Sequence, residues 1–319
     1  MDNPQRSDSD SSWERKTLEK LAFATLSEQR ARRRWGIFFK FLGFSYLAFI
    51  LFAFVEWETA KVEEAHVAMI DLQGVIAPRS EANAEKLIAA LNSAFEASDA
   101  KAVVLRINSP GGSPVQAGMV NNEIRRLRVK YPDKPLYAVV EDICASGGYY
   151  IAVAADRIYV DKASIVGSIG VLMDGFGFTG TMDKLGVERR LLTAGANKGF
   201  LDPFSPQAEE HKAHARVLLA DIHAQFVEVV KTGRGERLKE NPEIFSGLMW
   251  TGAQSIQLGL ADDFGTVDSV ARDVVKVENV MDYSVKDNLA ERFAKRFGAG
   301  AADSLWQGFS SSLSDWRLN

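Results

Sequence analysis

The residues of this sequence with the most chemical promise are a serine and the glycines around it. Ser146 stands in Cys144-Ala145-Ser146-Gly147-Gly148, between a strand-like apolar run and a helical pattern. A hydroxyl at such a turn lies at the positive end of a helix dipole, among N–H groups that the helix leaves unpaired. It can attack a carbonyl or it can cap the helix, and the residues alone leave both readings open. The motif is not G-x-S-x-G, so the elbow of the α/β-hydrolases is not matched. A second glycine turn, Asn108-Ser109-Pro110-Gly111-Gly112, follows the preceding apolar run. Gly111 and Gly112 can present N–H groups with no side chain in the way and, with the N–H of Gly147, form an oxyanion hole. At this turn there is neither a GK[ST] ending nor a GxGxxG, which argues against a phosphate cradle there.

A nucleophilic serine needs a base. His66 opens a strand ahead of the site. His211, His214 and His223 share one amphipathic helix without an HExxH arrangement and read as ordinary helical residues. Lysine is the alternative. Lys198, in Thr193-Ala194-Gly195-Ala196-Asn197-Lys198-Gly199-Phe200, is the only lysine between Lys184 and Lys212. Small and apolar neighbours would desolvate its amine and favour the neutral form, although an exposed loop lysine fits the same residues. A lysine that works as a base near neutrality must fall from ~10.4 to roughly 7–8. Val166-Gly167-Ser168-Ile169-Gly170-Val171 adds Ser168, which either orients the lysine as the third member of a triad does or merely closes a turn. Cys144 precedes the turn, has no histidine nearby, and reads as a small buried residue.

Such groups need a frame, and the apolar patterning supplies one. Strands are predicted at His66–Leu72, Ala102–Ile107, Leu136–Val140, Arg157–Val160, Val171–Met173 and Glu188–Leu192, with a turn through Glu141 to Ala145. Helices are predicted over Ala82–Glu96, from a Ser113 N-cap with Pro114 first, from Ser146, and over Pro206–Thr232. Alternation of this kind predicts an α/β domain of repeated β-turn-α units, whose turns gather at the carboxyl edge of a parallel sheet.

The chain has 319 residues, 46% apolar and 25% charged, which is globular composition. With 38 Lys+Arg against 42 Asp+Glu there is no basic excess for nucleic acid. One cysteine rules out an internal disulfide, and with only four histidines no Cys/His zinc cluster is expected, nor is any metal or other cofactor. Gly36 to Trp57 carries charge only at Lys40 and Glu56 and, at ~1.5 Å per residue, reaches roughly 33 Å, enough to span a bilayer. Arg30, Arg32, Arg33 and Arg34 precede it and Glu56, Glu58, Glu63 and Glu64 follow it, which predicts a cytoplasmic N-terminus and an exported domain. The expected organisation is a cytoplasmic tail over 1–35, a transmembrane helix over 36–57, the α/β domain over 58–281 and an amphipathic extension over 282–319. That extension is expected to dock on its own domain or on a neighbouring subunit.

The glycine turns, Ala145-Ser146-Gly147-Gly148-Tyr149-Tyr150-Ile151-Ala152, Gly167-Ser168-Ile169-Gly170-Val171, Lys198 and the later Trp250-Thr251-Gly252-Ala253-Gln254 occur in one order and spacing. In that pattern the chain resembles the signal peptide peptidase A family of S49 serine peptidases, in its short form with one anchor. The resemblance implies a crotonase-like, ClpP-related fold behind one N-terminal transmembrane helix, and a Ser–Lys dyad that degrades remnant signal peptides after their release from preproteins. By position it implies Ser146 as nucleophile, Lys198 as general base, Ser168 as its support, and Gly111 and Gly147 as oxyanion-hole donors. It also implies a homo-oligomer at the bacterial inner membrane, with the catalytic domain on the extracytoplasmic side. Two positions depart from the pattern: Asn197, where an aromatic residue often precedes the lysine, and Ala163, where proline is common. Rival readings are a related protease cleaving intact membrane proteins, a crotonase-like acyl-CoA enzyme, and an inert membrane scaffold.

Overall fold

The computed structural model describes residues 32–50 and 64–285. The chain divides into two compact units, Met1–Val62 and Glu63–Asn319. In the first, helix α1 covers residues 32–50 and leaves its large apolar side chains, Phe38, Phe41, Phe44 and Phe49 among them, exposed. No helix among the described residues is long and apolar enough to cross a membrane. Residues 51–57 of the expected span lie outside the described residues, as do 1–31 and the extension from 286 onward.

The second unit is a mixed α/β domain. Its strands are β1 (His66–Gln73), β2 (Ala100–Ser109), β3 (Leu136–Ala145), β4 (Arg157–Val160), β5 (Ile165–Gly167), β6 (Met249–Thr251), β7 (Asp263–Phe264) and β8 (Val280–Asp282). The main path of the sheet runs β6-β5-β3-β2-β1-β8, with β4 and β7 branching off β3. Every pairing is parallel except β5 with β6. Strand β3 serves two partners in turn: Tyr137 to Val139 pair with β4, and Ile143 to Ala145 pair with β5. For this reason the predicted turn through Glu141 to Ala145 is strand instead, since β5 satisfies its backbone groups.

Helices α2 (Ala84–Glu96), α3 (Pro114–Lys130), α4 (Gly147–Ala152) and α6 (Glu209–Arg234) follow, with a short α5 (Thr179–Leu185) between the last two and α7 (Gly252–Gln257) and α8 (Val267–Ser269) after them. Asn83 caps α2 by accepting from the Lys86 N–H. Ser113 caps α3 ahead of Pro114, as the sequence predicts. Leu87, Leu91 and Phe95 of α2 and Ile124 and Leu127 of α3 pack on Ile70, Leu105 and Leu136 of the sheet, all buried. A smaller cluster, Val67, Val104, Val139, Tyr159, Val270 and Ala271, fills the other face.

The predicted strands at Val171–Met173 and Glu188–Leu192 do not form. Both fall in a segment, residues 171 to 208, in which no residue is buried, so there is no sheet edge to pair with. Helix α6 is anchored at its far end, where Arg234, 1% exposed, donates two bonds of 2.9 Å to Asp262 and one of 2.7 Å to the Gly259 carbonyl. Burial pushes the Asp262 carboxyl up, but the Arg234 guanidinium and the Ile158 N–H outweigh that and hold it below the usual carboxylate range.

Candidate active site

Ser146 occupies the single residue between the end of β3 and the start of α4, with φ 50° and ψ −120°. This is a region that non-glycine residues avoid, and such strain persists only where the surroundings enforce it. Two backbone bonds do so: the Ser146 N–H donates to the Gly167 carbonyl at 2.9 Å, and the Ser146 carbonyl accepts from the Tyr150 N–H at 2.9 Å. Behind it, Tyr149 is wholly buried and its hydroxyl donates to the Leu260 carbonyl at 2.8 Å. The Ser146 side chain makes no capping bond to α4. The hydroxyl is therefore not spent on the structural task that would otherwise explain a serine there.

Ser168 is brought alongside by register. Ala145 of β3 pairs with Gly167 of β5, so Ser146 and Ser168 are the first residues past the ends of two neighbouring parallel strands. Ser168 too has positive φ, 51°, and its N–H donates to the Leu248 carbonyl at 2.8 Å.

The Asn108–Ser113 turn closes the other side. Gly111 has φ 101°, and a Cβ there would stand 2.7 Å from both the Gly147 nitrogen and the Ser146 Cβ. Gly112 has φ 147°, and a Cβ on it would collide with the Ile76 carbonyl. Both glycines are thus required by backbone conformation and by close approach. The turn is held by Ile76, whose N–H donates to the Gly111 carbonyl and whose carbonyl accepts from the Ser113 N–H, each at 2.8 Å. Ser109, wholly buried, donates to the Gly74 carbonyl at 2.7 Å and accepts from the Gly111 N–H at 3.1 Å. The N–H of Gly111 is therefore occupied. Among the described residues no hydrogen bond uses the N–H of Gly112 or of Gly147, and a Cβ on Gly147 would lie 3.3 Å from the Gly112 nitrogen. Two unused donors thus sit together beside an unused hydroxyl.

Lys198 is placed differently. It stands in the exposed segment, its N–H donating to the Gly195 carbonyl at 3.1 Å, and its amine makes no hydrogen bond or ion pair with Ser146 or Ser168. Within one chain the structure assembles Ser146, Ser168, Gly111, Gly112 and Gly147 and leaves Lys198 outside that group. Cys144 lies wholly buried beneath the turn, and burial alone pushes its thiol far up, which removes it as a nucleophile. No group of acidic, histidine or cysteine residues among those described could hold a metal ion. Sequence patterning missed Ser109 and Ile76, because their contributions are a side-chain bond to a turn and a backbone bridge. The signal for the second is Gly74, just after β1, whose φ of 80° starts the crossing toward Gly112.

A mostly parallel sheet that delivers a strained serine and open glycine amides to one edge is an α/β frame suited to attack on a carbonyl. Comparison with known proteins narrows the class. The model of peptidase family S49 matches residues 128–281. A protein described as a putative protease from Methanocaldococcus jannaschii is 30% identical over 218 residues, covering 67% of this chain and 69% of that one. The chain belongs to peptidase family S49. It is also similar to a putative signal peptide peptidase SppA from Enterococcus faecium, 28% identical over 259 residues, 78% of this chain and 74% of that one. A Brucella abortus protein described as the Na(+)/H(+) antiporter NhaA is 48% identical over 182 residues, which are 57% of this chain, and the match spans only a quarter (25%) of that relative's length.

Proposed function

We propose that this chain is a membrane-anchored serine endopeptidase in which Ser146 and Lys198 form a catalytic dyad, and that its substrates are apolar peptides left by signal-peptide removal. The observation that carries the reading is the Ser146 turn: a strained backbone, a hydroxyl without a structural bond, and the unused N–H groups of Gly112 and Gly147 beside it. In this mechanism neutral Lys198 takes the Ser146 proton as the oxygen attacks the peptide carbonyl. The oxyanion is held by Gly147 and Gly112, while Gly111 contributes the absence of a side chain. The lysine then protonates the leaving amine, and water, deprotonated by the same lysine, releases the acyl group. Ser168, one residue past the end of β5 and beside Ser146, holds the lysine when the dyad is closed. The crotonase-like, ClpP-related architecture accords with this use of the sheet edge.

The anchor at 36–57, an N-terminus in the cytoplasm and an exported domain at the bacterial inner membrane belong to the same reading, supported by the charge flanks of that segment. The name of the Enterococcus faecium relative supports the substrate class. A tether raises the effective concentration of the enzyme near peptides that partition into the same layer. A homo-oligomer is part of the proposal because residues 171–208 expose Leu172 (79%), Phe176 (81%) and Leu192 (97%), which assembly would cover.

The test is hydrolysis of fluorogenic apolar peptides by the full chain in detergent. The expected result is a loss on the order of 10⁴-fold or more for Ser146→Ala and for Lys198→Ala. Full activity in Lys198→Ala would remove the dyad, and inactivity of the parent on every apolar peptide would remove the substrate class.

A further inference from the structure

Three histidines lie along α6, and each reaches a turn that bears on the site. At its start, the Nε2 of His211 lies 3.2 Å from the Asn197 Oδ1. An amide oxygen only accepts, so this contact requires the tautomer with the proton on Nε2. The ring of Phe200 makes T-shaped contacts with both His211 and His214, with centroids 5.4 and 5.6 Å apart and interplanar angles of 63° and 78°. His211 and His214 share one helix face by their spacing, so they grip the Asn197–Phe200 turn from one side. Lys198 lies between the two gripped residues, in a turn closed by bonds from the Lys198 N–H to the Gly195 carbonyl and from the Phe200 N–H to the Asn197 carbonyl.

Further along, His223 Nε2 lies 3.2 Å from the carbonyl of Ile169, next to Ser168. Phe226 packs on Tyr150 of α4 with ring centroids 5.1 Å apart. Arg234 ends the helix in its buried pairing with Asp262. One rigid element therefore registers the lysine turn against the Ser168 turn and against the helix that Ser146 opens. The separation from His214 to His223 along its axis is ~14 Å.

We infer that His211 and His214 are positioning residues that clasp Asn197 and Phe200 and so fix the direction in which α6 presents Lys198. The inference rests on the Ser–Lys reading above. It also gives Asn197 a role: its amide oxygen is the acceptor that the first histidine holds.

The experiment uses the full chain in lipid vesicles, with a fluorogenic apolar peptide as substrate and thermal unfolding as control. The variants are Asn197→Ala, His211→Ala with His214→Ala, His211→Gln and Lys198→Ala. A misplaced proton acceptor costs turnover more than binding, so the double histidine variant should lose roughly 10–100-fold in kcat, with KM and the melting temperature unchanged. Asn197→Ala should fall in the same direction. His211→Gln, whose amide nitrogen can replace Nε2 as donor, should stay within a few fold of the parent. An unchanged kcat in the double variant, while Lys198→Ala is inactive, would overturn the clasp and leave the dyad standing. His211→Gln as impaired as the double variant, or kcat and KM shifting together with the melting temperature, would also overturn the clasp. Activity in Lys198→Ala equal to the parent would overturn the dyad and the clasp with it.

Discussion

The turn region around Ser146 and the segment from 171 to 208 carry the two halves of one proposed reaction, and they are built in opposite ways. Around Ser146 the main chain does almost everything. Strand ends, two glycines with positive φ and bonds from Ile76, Gly167 and Leu248 leave no alternative placement. In the segment bearing Lys198, residues 171–208, no residue is buried. Its order comes from local contacts such as Phe178 stacked on Phe204 at 5.4 Å and Arg189 near Asp202 at 3.4 Å. Such a contrast teaches that the proposed electrophile-binding half is preorganised by the fold, whereas the proposed base stands on a segment that the single chain leaves exposed. Preorganised donors are the part of a site that a fold can supply cheaply in advance, because they need not move during the reaction.

The largest effect should come from breaking the rigid half. Gly112→Val puts a branched side chain at φ 147° against the Ile76 carbonyl, so the turn must shift and the Gly112 N–H leaves its position. The expected outcome is a fall of at least 10²–10³ in kcat, with the chain also destabilised, measured by peptide hydrolysis and urea unfolding together. An effect of comparable size, on folding instead of turnover, is expected at the anchor of α6. Asp262→Asn leaves the Arg234 guanidinium buried without its counter-charge, at a cost of ~3–5 kcal/mol in unfolding free energy. The Asp262 carboxyl is held below its ordinary value in the folded chain, so its stabilisation is complete above ~4 and is lost as pH falls through the lowered value. Unfolding followed against pH should show the parent losing stability in acid below pH ~4, and Asp262→Asn losing less of it there.

A smaller effect is expected at Ser109. Ser109→Ala removes one donor and one acceptor from a wholly buried position and leaves the Gly74 carbonyl and the Gly111 N–H without that partner. The cost should be ~1–3 kcal/mol in stability. A drop in kcat larger than the change in KM would show that the turn moved relative to Ser146.

How much of this could be read from the chain depends on whether the signal is local. The β-turn-α rhythm, the Ser113–Pro114 helix start and the glycine turns are legible because periodicity, capping and φ constraints are encoded within a few residues. The extension of β3 to Ala145 was not, because it depends on β5 arriving some twenty residues later to pair with it. The strands expected at Val171–Met173 and Glu188–Leu192 failed for the converse reason: β-favouring residues with no neighbouring edge stay irregular. Along α6, Val217 and Leu218 fit the apolar stripe yet are 64% and 39% exposed, while Arg234, a charge that patterning places outside, is among the most buried side chains. Pairing with Asp262 reverses the usual rule for arginine, and the partner lies beyond any local window.

The smallest effect on the folded chain tests the soft half of the comparison. Leu192 is 97% exposed and Phe176 81% exposed, so Leu192→Glu with Phe176→Glu removes little packing within one chain. Stability of the dissociated chain should stay within about 0.5 kcal/mol of the parent, as for ordinary surface changes. If the segment is covered by a second copy, the same charges must be desolvated on assembly, and the oligomer measured by analytical ultracentrifugation in detergent should weaken or dissociate. Activity should fall with it, because the segment that carries the proposed base would lose the contacts that seat it against the Ser146 turn. A variant that dissociates yet keeps full turnover would show that Lys198 reaches Ser146 without assembly. The two regions would then be parts of a site completed by movement of the segment alone.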